Sequence, residues 1–262
     1  VSVDLPSIIG MVHLGPLPGS PEYGQLDSVI SAALGDVRIL IEAGFQGIIV
    51  ENFGDAPFWA DTVPPVTVAA MTRVIAEISN HVEVPFGVNV LRNDGEAAIS
   101  IAAVTGASMV RINVLTGTMF TDQGPIVGDA AKLIRLRNQM APGVRILADV
   151  FVKHATPSPG LTVEQAAVDT WERGGADALV ISGSGTGRPL DIGIAETVRK
   201  VVPEAPIVAG SGATHENLFE LAPVIDAVIV GTAIKEGGST TAPVDPQRAK
   251  DFVAAASRAG FL

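Results

Sequence analysis

Short apolar runs recur along the chain, and each stops at a polar or glycine-rich cluster. Eight of them, at 8–13, 47–51, 86–90, 108–113, 144–152, 178–182, 207–209 and 227–230, are rich in β-branched residues and predict strands. Helical patterns separate them at 27–43, 66–80, 96–104, 127–140, 162–173, 193–202 and 215–221, and a last one at 245–258 closes the set. Alternating strand and helix signals predict parallel βαβ units. Eight such units in 262 residues fit one α/β fold, a closed (β/α)8 TIM barrel, which typically takes about 250 residues.

A loose repeat supports this reading. Glu42-Ala43-Gly44 leads into Ile48-Ile49-Val50, Thr105-Gly106-Ala107 into Met109-Val110, and Gly174-Gly175-Ala176-Asp177 into Ala178-Leu179-Val180. Glycine suits the left-handed residue that ends a helix. These helix-to-strand links are short. The strand-to-helix links at 14–26, 52–65, 114–126 and 153–161 are longer and rich in Gly, Pro and Asp. In a barrel the longer loops share the C-terminal face, where function is built. The run from Gly15 to Pro21 reads as a rigid turn or lid, and Phe58-Trp59 as lid or interface.

Hydrophobic residues make up 47% of the chain, and the mean hydropathy is +0.40. Parallel strands buried on both faces account for that excess. No apolar run reaches the 18 residues or so that would span a bilayer. No linker or charge block divides the sequence, so 1–262 is expected to be a single domain. Val1–Leu5 lack a signal-peptide pattern, and a cytoplasmic location is expected. The net charge of −11 argues against nucleic acid as a partner and requires that any anionic ligand find locally placed donors. With no cysteine, disulfides, zinc–thiolate sites and thiol nucleophiles are excluded. High apolar content permits a homo-oligomer.

The strand ends hold the candidate chemistry. His13, His154 and His215 fall just past predicted strand ends, with His81 at the opposite end. Thr214 reads as a helix cap, which makes His215 the weaker candidate. In Asp149-Val150-Phe151-Val152-Lys153-His154 the alternation of a strand puts Asp149 and Lys153 on one face. A lysine buried in the mouth would lose affinity for its proton and serve as base or Schiff-base nucleophile; the alternative is a structural Asp–Lys pair. Arg111 and Asn113 share parity at the fourth strand, and Arg111 needs an acid such as Glu51 or Asp149. Asn89, Asn93 and Asp94 close the third strand and, with Asn113, are expected to bind substrate. The catalytic set is then His13, Glu51, Arg111, Asp149, Lys153 and His154.

Glycine clusters follow the last three strands. Ser182, Gly183, Thr186 and Gly187, then Gly210, Ser211 and Gly212, then Gly231 and Thr232 are expected to cradle a phosphate. Lys235 is expected to add charge. This is neither a Walker loop nor a Rossmann fingerprint. Metal-dependent barrel hydrolases need paired histidines at the first strand, and His13-Leu14-Gly15 offers one. No metal site is assigned; Mg²⁺ through Glu51, Asp55, Asp94 or Asp149, and a flavin (FMN) held by its phosphate, both stay open.

Several stretches carry a family resemblance: Ile9-Gly10-Met11-Val12-His13-Leu14-Gly15-Pro16-Leu17-Pro18-Gly19-Ser20-Pro21, Val50-Glu51-Asn52-Phe53-Gly54-Asp55, Gly87-Val88-Asn89-Val90-Leu91-Arg92-Asn93-Asp94, Asp149-Val150-Phe151-Val152-Lys153-His154 and Gly210-Ser211-Gly212-Ala213-Thr214-His215. In these the chain resembles the BtpA family nearly end to end. The resemblance implies a barrel of the ribulose-phosphate-binding type. It supplies no established catalytic residues, and the family takes its name from a photosystem I biogenesis factor. The function expected is an enzyme of lyase or isomerase type acting on a sugar phosphate or nucleotide. The alternative is a non-catalytic assembly factor, which would show a large apolar patch rather than ionisable groups in the mouth.

Overall fold

A computed structural model describes residues 5–183 and 190–262. Its centre is a closed barrel of eight parallel strands: β1 (Ile8–His13), β2 (Gly47–Glu51), β3 (Phe86–Asn89), β4 (Met109–Ile112), β7 (Arg145–Asp149), β9 (Ala178–Ile181), β10 (Ile207–Ala209) and β11 (Ala227–Val230). β1 closes the ring against β11, with Ile8 opposite Val228. Around it lie α1 (Leu26–Ala43), α2 (Pro65–Ser79), α3 (Gly95–Thr105), α4 (Ala130–Met140), α5 (Val163–Val168), α6 (Ile192–Val201), α7 (Leu218–Leu221) and α8 (Pro246–Ala259).

Two apolar layers follow from the alternation of side chains along each strand. The outward residues pack under the helices in one large cluster. The inward ones, Ile9, Met11, Ile49, Met109, Leu147, Val180, Val208 and Ile229 among them, fill the barrel. α1 shows how a helix joins this plan. Val29, Ile30, Ala33, Val37 and Leu40 recur at helical spacing and are buried, and Gly44 at φ 98° ends the helix. Gly10 lets α1 come close, since a Cβ there would sit 2.7 Å from Leu40.

Three segments depart from the sequence expectation. The fifth barrel strand stops at Asp149 rather than Val152, so Lys153 and His154 lie beyond it. The loop after β4 is not irregular: β5 (Thr118–Thr121) and β6 (Gly124–Val127) form an antiparallel hairpin, joined by β8 (Ala155–Pro157). Val127 therefore ends a strand, and α4 begins only at Ala130. The segment expected as a helix over 215–221 is a single turn, α7. Among the described residues no helix is long and apolar enough to cross a membrane.

Candidate functional site

On every barrel strand, the inward position two residues past the apolar layer is polar or glycine. Met11 is followed by His13, Ile49 by Glu51, Gly87 by Asn89 and Met109 by Arg111; Leu147 is followed by Asp149, Val180 by Ser182, Val208 by Gly210 and Ile229 by Gly231. The ladder sets part of this layer side by side: His13 is opposite Glu51, Glu51 opposite Asn89 and Asn89 opposite Arg111. One tier at the C-terminal mouth thus gathers side chains from six strands and leaves glycine positions, Gly210 and Gly231, on the other two.

Arg111 and Asp149 dominate its centre. Arg111 Nε and Nη2 donate to the two Asp149 carboxylate oxygens at 2.9 and 2.8 Å, and both side chains are buried. Ser182 Oγ joins them, accepting from Arg111 and donating to Asp149. Arg111 Nη1 donates to the Gly210 carbonyl at 3.3 Å. Burial works against the Arg111 charge, but Asp149 outweighs it and holds the guanidinium above its ordinary pKa. The expected meeting of Asp149 with Lys153 is therefore corrected: the acid is already paired on a neighbouring strand. Ser182, expected on phosphate, has its hydroxyl committed to the same network.

Lys153 stands apart from that pair. Among the described residues it takes part in no ion pair. Burial lowers its pKa, with Arg111 and Arg92 adding to the effect and Glu51 and Asp149 opposing it. Glu51 is buried, 3.7 Å from His13 Nε2. Burial brings the His13 pKa down to about 3, and Lys235 and Lys153 push the same way. His13 is thus neutral at ordinary pH, its ring 4.8 Å from that of Phe53.

The mouth holds two connected compartments that share Glu51 and Lys153. The first, a cleft of about 120 Å³, lies against His13, Arg111, the loop Gly210–Thr214 and Gly231–Ala233. The second lies under the β5–β6 hairpin, against Phe53, Phe58, Arg92, Asn113, Gln123 and His154.

The first compartment carries the glycine loops. The N–H groups of Ser211, Gly212 and Ala213 donate no hydrogen bond among the described residues. Gly212 has φ +80°, and the Asn217 side chain braces the turn by accepting from Thr214 N and donating to Gly212 O. Successive free amides in such a turn make an anion-binding concavity. Two supports expected from sequence are corrected. The turn precedes no long helix, so a helix dipole adds little. Lys235 is 1% exposed and donates to Asp36 at 2.6 Å, so its charge is spent inside the fold. Gly210 and Gly231 are explained by packing: a Cβ would lie 2.2 Å from Val180 at the first and 2.7 Å from His13 at the second. Gly183 N donates to Ser211 Oγ, while Thr186 and Gly187 lie outside the described residues.

The other expected residues divide between loop bracing, the inner tier and the second compartment. Asn93 exchanges two hydrogen bonds with the backbone of Val114. Asp94 caps α3 through Ala97 N and also accepts from Val63 N. Both brace loops rather than face a ligand. Asp55 accepts from Leu17 N and Asn52 Nδ2, pinning the proline-rich loop, whose Leu17 is buried. The four carboxylates considered for Mg²⁺ do not converge, and among the described residues no three metal-ligating side chains do. Asn89 donates to Arg111 O and to Asn113 Oδ1. His215 is exposed beside Glu216. His154 is exposed with φ 58°, in the second compartment; burial and neighbouring Lys153 and Arg92 lower its pKa. Sequence reasoning missed Arg92, Asn217 and the hairpin; the alternation on either side of Asp122-Gln123 was a usable hairpin signal.

Fold and mouth together define a (β/α)8 barrel protein with a charged inner tier beside a turn of free backbone amides. The chain belongs to the BtpA family, whose sequence model matches residues 5–258. It is 48% identical over 249 residues to an uncharacterized protein of Thermococcus kodakarensis, covering 94% of this chain and 93% of that one. It is 44% identical over 251 residues to the photosystem I biogenesis protein BtpA of Synechocystis sp., covering 95% and 87%. Solved structures resemble it in fold. Mycobacterium tuberculosis tryptophan synthase superposes with TM-score 0.63 at 15% identity, over 98% of this chain and 93% of that one. Phosphoribosyl anthranilate isomerase from Thermus thermophilus gives TM-score 0.60 at 9% identity, over 96% and 98%. Both are barrel enzymes, and at such identity the likeness concerns the fold alone.

Proposed function

We propose that this protein is an enzyme acting on a phosphorylated small molecule, a sugar phosphate or nucleotide, by proton-transfer chemistry of the lyase or isomerase type. The observation that carries the reading is one cleft in which, among the described residues, the amides of Ser211–Ala213 donate no hydrogen bond and Lys153 forms no ion pair, beside buried Glu51. The amides hold the phosphate. That leaves the rest of the ligand against Lys153, Glu51 and His13. A lysine with a lowered pKa has more neutral amine at working pH, which takes a proton from carbon or condenses with a carbonyl. Neutral His13 and the Glu51 carboxyl group then steady the charges that develop. The Thermus neighbour's own name pairs this barrel type with a phosphoribosyl compound. The Synechocystis relative's name favours a second reading, a non-catalytic assembly factor. A role of that kind has no use for a lysine that lines a cleft and forms no ion pair among the described residues.

Thermal melting with inorganic phosphate and ribose 5-phosphate tests the cradle. Both should raise the melting temperature by binding the native state. No shift with either, at millimolar concentration, counts against the reading. Borohydride trapping on a phosphorylated carbonyl substrate separates a Schiff base at Lys153 from a base.

A further inference from the structure

The second compartment has a chemistry of its own, centred on Arg92. This side chain is only 5% exposed. Its one hydrogen bond among the described residues runs from Nη2 to the Lys153 carbonyl, and it takes part in no ion pair there. A guanidinium has five donors in a planar fork, and burying it without an acid is costly. None of the acids in its neighbourhood, Asp149, Glu51 and Asp122, forms an ion pair with it among the described residues. Asp149 is held by Arg111 from the other side of the tier, and Asp122 is exposed on the hairpin turn and accepts from Gln123. Lys153 and His154 line the same space, with Glu51 at its boundary with the first compartment. Phe53 and Phe58 wall one side, 6.4 Å apart between ring centroids. The buried Oε1 of Gln123 has no hydrogen-bond partner among the described residues.

We propose that this compartment recognises a carboxylate through the Arg92 fork, so that the ligand is a phosphorylated acid, anchored by its phosphate at Ser211–Ala213 and by its carboxylate at Arg92. The inference rests on the phosphate reading of the first compartment and names the other end of the same molecule. A planar carboxylate matches a single fork, with two parallel N–H···O bonds. A second phosphate would need more donors, and this compartment is lined by no glycine turn that could supply them. The shared boundary puts Lys153 and Glu51 between the two anchors, against the carbons that join them. Gln123 Oε1 is placed to accept from a hydroxyl on that bridge.

The test compares ligands that differ only at this end. Calorimetric titrations use 6-phosphogluconate against sorbitol 6-phosphate, and 4-phosphoerythronate against erythritol 4-phosphate, with inorganic phosphate alongside. In at least one pair the acid should bind about tenfold tighter or more, roughly the worth of one charge-assisted fork. Arg92→Gln should remove that preference and leave polyol phosphate binding unchanged; Arg92→Lys, which keeps charge without the fork, should retain only part of it. Binding of inorganic phosphate with equal affinities in both pairs overturns the carboxylate subsite and leaves the cradle standing. Failure of inorganic phosphate and every phosphorylated probe to bind overturns the cradle, and the subsite with it. Equal weakening of acid and polyol in both Arg92 variants assigns Arg92 to the framework and also overturns the proposal.

Discussion

Arg111 and Asp149 form a two-point ion pair across adjacent strands β4 and β7, with both side chains almost wholly buried in the barrel mouth. Neither residue is free to be the acid or base of a reaction. Their work is to fix the inner tier: Arg111 also holds Gly210 O, which starts the turn to Ser211.

Removing one member should therefore be costly. Asp149→Ala strands a buried guanidinium and is expected to destabilise the fold by about 3–5 kcal/mol, read by urea denaturation. Replacing both, as Arg111→Met with Asp149→Leu, should recover a good part of that loss. A single variant as stable as the parent would mean the pair is solvated in solution.

His13 makes a pH prediction. Its pKa is about 3 in the folded protein and near 6.5 when unfolded. Protons therefore bind the unfolded chain preferentially between these values. The contribution is fully present above pH 6.5 and is lost as pH falls toward 3, on the order of a few kcal/mol in all. Denaturation midpoints at pH 7, 5 and 4 should fall steeply in the parent and less steeply in His13→Gln. Parallel curves would show that His13 titrates normally.

Lys235 separates framework from ligand chemistry. Its ammonium meets Asp36 on α1, and the same carboxylate accepts from Val244 N at 2.7 Å. Lys235→Met should cost stability, about 3–5 kcal/mol, since Asp36 is left buried and unpaired. The rise in melting temperature caused by phosphate should survive. Loss of the phosphate response in a folded Lys235→Met protein would return this lysine to the cradle.

Gly212 bears on the cradle directly. With φ +80°, an alanine there is strained by about 1 kcal/mol, and relief of that strain turns the neighbouring amides away. Gly212→Ala should weaken phosphate binding severalfold with a small loss of stability, whereas Gly237→Ala, also at positive φ but outside the cleft lining, should lose stability alone. Equal phosphate affinity in both variants would place the anion elsewhere.

Much of the site was legible without coordinates. Side chains alternate along a strand, so His13, Glu51, Asn89, Arg111 and Asp149 could be assigned to one face before the barrel was closed around them. What parity does not carry is whom each residue meets. Asn93 and Asp94 read as ligand contacts because they follow a strand end; in space they satisfy the backbone of Val114, Val63 and Ala97. Arg92 is not among the contacts the sequence pattern singles out, yet the loop past β3 turns it into the mouth.

The sequence by itself determined the eight-strand rhythm, the apolar barrel interior and the switch to polar residues at its C-terminal end. These depend on short-range periodicity, which neighbouring residues encode. The tertiary structure decided the pairings. Arg111 takes Asp149, 38 positions away, and leaves Lys153 with no ion pair among the described residues; Lys235 goes to Asp36, 199 positions back, rather than to a ligand. The reason is physical: the worth of a buried charge turns on distances of a few ångströms and on what else has been desolvated. Those distances exist only once all eight strands have brought their ends together.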